Sequence, residues 1–306
     1  MELIKPNSNV NFVGRIRPAL IFSLVLIAIS LFSLLVKGGP RYGIDFEGGT
    51  LVQIKFFKTV DIGEVRGALD SLAIEGLSVQ EFGDRKEQEY LVTMKKTTGE
   101  LEGLSEIVKN ALTTTFGADD LEVRRVEMVG PKVGDDLRRK GMLAVFFSIL
   151  GMLAYIWWRF ELRFGIGAIF CLVHDVIITL GALSLTNKPI DLPIIAALLT
   201  VVGYSVNDTI IISDRIRENM KKMSRGRLND IVNKSINQTL SRTCITAGTT
   251  LMVVVALFFL GGEVIHDFAF TLLVGICAGT YSSIFIASPL LIVWEKLFPQ
   301  KKRGSS

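Results

Sequence analysis

The sequence has few of the residues that most enzymes use for chemistry. It holds only two histidines and three cysteines among 306 residues. Cys171, Cys244 and Cys277 all fall in apolar runs, and none is spaced for a metal or a redox pair, so they read as small packing residues. With only two histidines, a histidine-based metal site is not expected. No GxxxxGK[ST] loop is present, so local ATP chemistry is not expected and no cofactor is called for. No nucleophile constellation is seen, and the chain does not read as an enzyme. Long polar stretches are also scarce, with one exception between the first and second apolar runs.

What the sequence has is apolar mass. It is 49% hydrophobic, with a mean hydropathy of +0.44, too apolar for a soluble chain of this length. The net charge of +4 does not signal nucleic acid. The basic residues flank apolar runs, which is the topology pattern of membrane proteins.

Six runs are long enough to span: 19–36, 142–158, 164–185, 192–213, 243–260 and 268–294. The first follows a basic flank but has no small-residue cleavage site, so it reads as a retained span rather than a signal peptide. Basic residues at Arg159 and Arg163, across 215–242, and at Lys296, Lys301, Lys302 and Arg303 alternate with nearly neutral turns. The positive-inside rule puts both termini in the cytoplasm and the long polar segment outside. Lys132, Arg138, Arg139 and Lys140 conflict with that, but they end a long loop, where charge counts for less. The reading divides the chain into a cytoplasmic N-terminus (1–18), a first span (19–37), an extracytoplasmic domain (38–138), a five-helix bundle (139–295) and a cytoplasmic tail (296–306).

Within the polar segment, 50–58 alternates like a strand and 61–74 has helical spacing. Strands follow at 78–82 and 90–95, around a charged turn at 83–86. A helix is expected at 98–116 with Thr98 as its cap, then a strand at 121–129. The β-α-β-β-α-β order fits an α+β, ferredoxin-like domain between the first and second spans.

Ionisable residues inside the spans are the candidates for function, because charge in lipid is costly and is kept for ion or proton work. Asp208 lies inside the fourth span, with Thr200, Tyr204 and Ile211 on its helical face. Arg242 sits at the mouth of the fifth span, in the same half of the membrane, and is its expected partner. A structural ion pair and an ordinary positive-inside anchor are the plainer readings of the two. Asp175, beside His174, falls near the middle of the third span. The pair belongs either to a proton relay or to a hydrogen-bonded helix contact. Glu263, His266 and Asp267 lie in an outer turn, either as a proton entrance or as a solvated loop. Gly203, Gly248, Gly275 and Gly279 would let helices approach closely. In the stretch GIDFEGGT, Gly43, Asp45, Gly48 and Gly49 read as a chain reversal into a strand.

These segments resemble the SecF family. The likeness rests on FVGRIRP before the first span, YGIDFEGGT after it, HDV in the third span, VVGYSVNDTIIISDRIREN in the fourth and INQTLSRT leading into the fifth. GIDFEGGT alone marks only the wider SecD/SecF group. The resemblance implies the resistance-nodulation-division superfamily and a six-span half that pairs with SecD in the bacterial inner membrane. It implies association with the SecYEG channel and often YajC. It also implies use of the proton-motive force to draw a secretory preprotein across the membrane after SecA has fed it in. The family's membrane aspartate falls on Asp208 and its membrane arginine on Arg242, and the outer domain is implied to contact SecD or the emerging chain. A proton-coupled efflux transporter of the same superfamily and a non-energised structural subunit are the alternatives. An efflux transporter would normally have two large outer loops, and this chain has one.

Overall fold

The structure is a computed structural model that describes residues 9–72, 74, 76–83, 85–94, 103–159, 161–223 and 227–298. In chain order the elements are α1 (Ile16–Val36), α2 (Ile44–Glu47), β1 (Gly49–Phe56), α3 (Ile62–Asp70), β2 (Ser78–Phe82), β3 (Glu89–Met94), α4 (Leu104–Phe116) and β4 (Leu121–Val129). They continue as α5 (Pro131–Arg159), α6 (Leu162–Leu185), α7 (Leu192–Lys222), α8 (Leu228–Leu260), α9 (Glu263–Ser282) and α10 (Ser288–Leu297). The chain divides into two compact units. One holds residues 42–144 with 189–192, and the other holds the rest.

The first unit is built on a four-stranded antiparallel sheet in the order β2-β3-β1-β4. Val52 in β1 lies opposite Val92 in β3 and Val126 in β4. Strand periodicity sends Val52, Ile54 and Phe56 to one face, where they are buried with Val65 and Leu69 of α3 and Val108 and Leu112 of α4. Val126 and Met128 of the edge strand β4, opposite Val52 and Thr50 on that same face, stay exposed. The start of α3 is fixed by a capping box. The Asp61 carboxylate accepts from the Gly63 N–H at 2.7 Å, and Glu64 accepts from the Asp61 N–H at 3.2 Å. The second long helix starts at Leu104, behind a left-handed Gly103; the expected cap, Thr98, lies outside the described residues.

The second unit is helical. Among the described residues, six helical stretches are long and apolar enough to cross a membrane, one before the sheet in sequence and five after it. α1 turns its serines inward. Ser23, Ser30 and Ser33 are buried while Ile21, Phe22 and Phe32 are exposed. In lipid this arrangement is favourable, because small polar residues let helices approach and apolar ones face the tails. Ser30 packs directly on Gly181 of α6, and Ser33 shares a hydrogen bond with Ser184 at 2.8 Å. Gly275 and Gly279 of α9 lie on Val201 and Ser205 of α7, and a Cβ at Gly279 would come within 3.0 Å of Ser205 Cβ. Gly203 and Gly248 have open space beside them. Two of the four glycines therefore make the close contact expected of them, and two do not.

The segment 215–242, expected as a basic loop, is mostly helix. α7 runs on to Lys222 and α8 begins at Leu228. A buried stripe of Ile212, Ile216 and Asn219 on α7 meets Ile231, Val232, Ser235 and Ile236 on α8. Asn219 Nδ2 donates to Ser235 Oγ and to Gln238 Oε1, both at 2.8 Å. The same end of α8 holds the chain ahead of α1. Asn233 Oδ1 accepts from the Phe12 N–H at 2.8 Å and the Val13 N–H at 3.2 Å. Asn237 accepts from the Val10 N–H and donates to the Val10 carbonyl, both at 2.9 Å. Between α9 and α10, residues Ser283–Ala287 form a π-helical turn, a defect that often marks a functional stretch of helix.

Candidate functional site

Among the described residues, the second unit buries two carboxyls in its interior, and their surroundings are opposite. Asp175 on α6 is fully buried. Its Oδ1 meets His174 Nδ1 at 2.8 Å. Its Oδ2 accepts from Ser205 Oγ of α7 at 2.5 Å and from Ser282 Oγ of α9 at 2.9 Å. Three helices thus converge on one carboxylate. They can do so because Gly279 lets α9 lie against Ser205, and because Ser282 closes α9 at the π-helical turn. Thr179 Oγ1 donates to the Asp175 carbonyl at 2.7 Å, and Cys171 Sγ donates to the Ser282 carbonyl at 3.3 Å. His174 stacks on Tyr281 with ring centroids 6.2 Å apart. Its Nε2 is buried with no hydrogen-bond partner among the described residues.

Asp208 on α7 is 1% exposed, and neither carboxylate oxygen has a hydrogen-bond partner among the described residues. A buried anion left in that state is expensive, by several kcal/mol or more. The hydroxyls of Tyr204, Thr209 and Thr243 are also buried without partners among those residues. The cation whose charge bears on Asp208 is Arg242. Arg242 is exposed on α8 and makes no ion pair with Asp208 within 4.0 Å. The expected direct pairing is therefore not formed. The helix α8 begins at Leu228 and runs through Arg242 without a break, and its rotation leaves Arg242 on an open side. Thr200, expected on the Asp208 face, is exposed and returns its hydroxyl to the Ala196 carbonyl at 2.8 Å.

Glu263, His266 and Asp267, expected in an outer turn, lie in the first turns of α9, and among the described residues His266 and Asp267 form no cluster. Asp267 pairs with Lys188, and His266 Nδ1 lies 3.1 Å from the Phe258 carbonyl. The side chain of Glu263 lies outside the described residues.

The stretch GIDFEGGT is a tight turn in the first unit. α2 is a single helical turn, and Gly48 and Gly49 follow with φ of +72° and +135°. Both values favour glycine. At Gly48 a Cβ would also sit 2.9 Å from Pro131 Cα. The Gly43 N–H donates to the Ile190 carbonyl at 2.7 Å, and Asp45 Oδ2 accepts from the Leu192 N–H at 3.0 Å. Sequence reasoning placed the turn but missed the last two bonds, because nothing in the spacing links residue 45 to residue 192.

Comparison with known proteins matches this arrangement to one family. Residues 107–297 match the family described as protein export membrane protein SecD/SecF, C-terminal, and residues 32–60 match the SecD/SecF GG motif. The chain is 48% identical to the protein translocase subunit SecF of Calditerrivibrio nitroreducens, over 97% of this chain and 98% of that one. It is 46% identical to SecF of Vibrio alginolyticus, over 95% and 91%, and 42% identical to SecF of Pseudomonas aeruginosa, over 94% and 92%. The crystal structure of SecDF, a translocon-associated membrane protein from Thermus thermophilus, superposes with a TM-score of 0.84 at 35% identity. That match covers 96% of this chain, which spans 40% of the SecDF chain. A SecDF structure in a super-membrane-facing form superposes with a TM-score of 0.70 at 37% identity. The chain belongs to the SecF family of protein translocase subunits.

Proposed function

We propose that this chain couples proton movement through Asp208 to the export of secretory proteins. The observation that carries the proposal is the Asp208 carboxyl, buried and without a hydrogen-bond partner among the described residues. Such a group is costly as an anion and is relieved by taking up a proton. When ionised it attracts Arg242; when protonated it does not. The two states therefore favour different placements of α7 against α8. One elementary charge crossing the membrane is worth about 3.5 kcal/mol at ~150 mV. That biases a two-state equilibrium a few hundred-fold, enough to rectify the motion of an unfolded chain without nucleotide hydrolysis.

His174 and Asp175 are the second proton-bearing pair in this reading. Asp175 is hydrogen-bonded on both oxygens, and His174 Nε2 is buried without a hydrogen-bond partner among the described residues. The four strands of the sheet unit follow α1 and precede α5 in sequence. Its helix order and strand order support a ferredoxin-like βαββαβ domain, and charge bias supports an extracytoplasmic place for it, with both termini in the cytoplasm. The SecD half of the exporter is the expected partner, as the match to a fused SecDF chain suggests. The SecYEG channel, YajC, the preprotein and SecA follow from the family resemblance. The chain works as a subunit of the translocase with no catalytic residue of its own.

The test is Asp208→Asn, which keeps size and removes the titrating group. Secretion and proton conductance are expected to fall together at unchanged abundance and assembly. Normal secretion in Asp208→Asn cells would leave a purely structural subunit as the reading.

A further inference from the structure

We infer that Asp45 is a positioning residue whose carboxylate caps the Asp208-bearing helix and links that helix to the GIDFEGGT turn. The inference rests on the proposed proton-coupled role of Asp208.

The first N–H groups of any helix lack an intrahelical partner. In α7 the first of these belongs to Leu192, and it donates to Asp45 Oδ2 at 3.0 Å, from a residue 147 positions away. A carboxylate at a helix N-terminus gains from both the hydrogen bond and the helix dipole. Asp45 lies in the first turn of α2, yet α2 has no side-chain cap of its own. Its carboxylate is spent on α7.

The backbone around it reinforces the link. Tyr42 and Ile190 form an isolated parallel bridge, and the Gly43 N–H donates to the Ile190 carbonyl at 2.7 Å. A Cβ on Gly43 would meet Asp191 Cβ and the Ile190 carbonyl at 3.3 Å. On its other side the turn lies against the opening of α5. A Cβ on Gly134 would come within 3.0 Å of the Gly48 nitrogen. Close approach accounts for the glycines, but only the cap accounts for the aspartate. α7 is unbroken from Leu192 to Lys222, so Asp208 lies about 24 Å along it from the capped end. Movement of α7 along its axis must carry the turn with it or break the Asp45 bond.

The test compares Asp45→Ala, Asp45→Asn and Asp208→Asn in membranes where each variant replaces the wild-type chain. Asp45→Ala is expected to cut secretion about fivefold, the size of a lost cap, while Asp208-dependent proton conductance persists. The Leu192 amide should exchange with solvent faster by a similar factor, read by hydrogen-exchange mass spectrometry. Asp45→Asn keeps an oxygen that can accept from Leu192 and should restore most of the secretion. Wild-type secretion in Asp45→Ala, equal defects in Asp45→Ala and Asp45→Asn, or a parallel loss of secretion and conductance would each overturn the link. Should Asp45→Ala lower abundance, Tyr42→Cys with Ile190→Cys added to it supplies a covalent bridge. Recovery of secretion on oxidation then upholds the link, and no recovery overturns it. The two readings fail separately. Normal secretion in Asp208→Asn removes the proton role itself. An impaired Asp208→Asn beside a normal Asp45→Ala removes only the cap.

Discussion

Asp175 and Asp208 are identical side chains, both shut away from solvent, in opposite hydrogen-bonding surroundings. Asp175 is surrounded by His174, Ser205 and Ser282, so its removal would leave the Ser205 hydroxyl and the His174 imidazole unpaired, while Ser282 Oγ keeps its bond to the Gly279 carbonyl. Each buried polar group left without a partner costs roughly 1–3 kcal/mol. Asp175→Ala is therefore expected to lower thermal stability and abundance in detergent melting curves, whereas Asp208→Asn leaves both near wild type. Equal melting of the two variants would show that the three-helix junction does not depend on Asp175. The sequence pointed to Asp208, Arg242, Asp175 and His174 by residue type and position alone, because ionisable groups in apolar runs are conspicuous. It could not show which carboxyl was satisfied. That depends on Ser205 and Ser282, ordinary residues on two other helices.

The same separation holds for helices. Lengths and apolar runs made the six spans readable, and periodicity made the strands and helices of the sheet unit readable. The bounds of α7 and α8 were not. Charges between 215 and 242 report the side of the membrane, not whether the chain is coiled, and they hid the stripe of Ile212, Ile216, Ile231, Val232 and Ile236. Glycines were also readable only as a class. A Cβ on Gly279 would lie 3.0 Å from Ser205 Cβ, whereas Gly203 faces open space. Gly279→Val should push α9 off α7 and disturb the Ser205 and Ser282 bonds to Asp175, costing about 1–3 kcal/mol as overpacking does. Gly203→Ala should be neutral or slightly stabilising in this chain, since alanine suits helices better. Melting temperatures of the two variants check the pair, and matching losses would show that the α7–α9 contact is not tight.

At the scale of the molecule, the absence of a direct ion pair changes what Arg242 is expected to do. A guanidinium held in a fork against a carboxylate cannot be replaced by an ammonium without loss. A charge acting across a gap can be. Arg242→Lys is thus expected to retain most secretion, and Arg242→Gln to lose it, in cells carrying each variant as the sole copy. Equal failure of both would mean that Arg242 makes a specific contact in another state of the exporter.

Arg242 also sits on a rod. α8 has 33 residues, about 50 Å of helix against a hydrocarbon layer of about 30 Å. Asn237, about one and a half turns before Arg242, grips the backbone of Val10, and Asn233, a turn earlier, grips Phe12 and Val13. Whatever pulls on the guanidinium also pulls a leash tied to the start of the first span, and four amide bonds set how much slack that leash has.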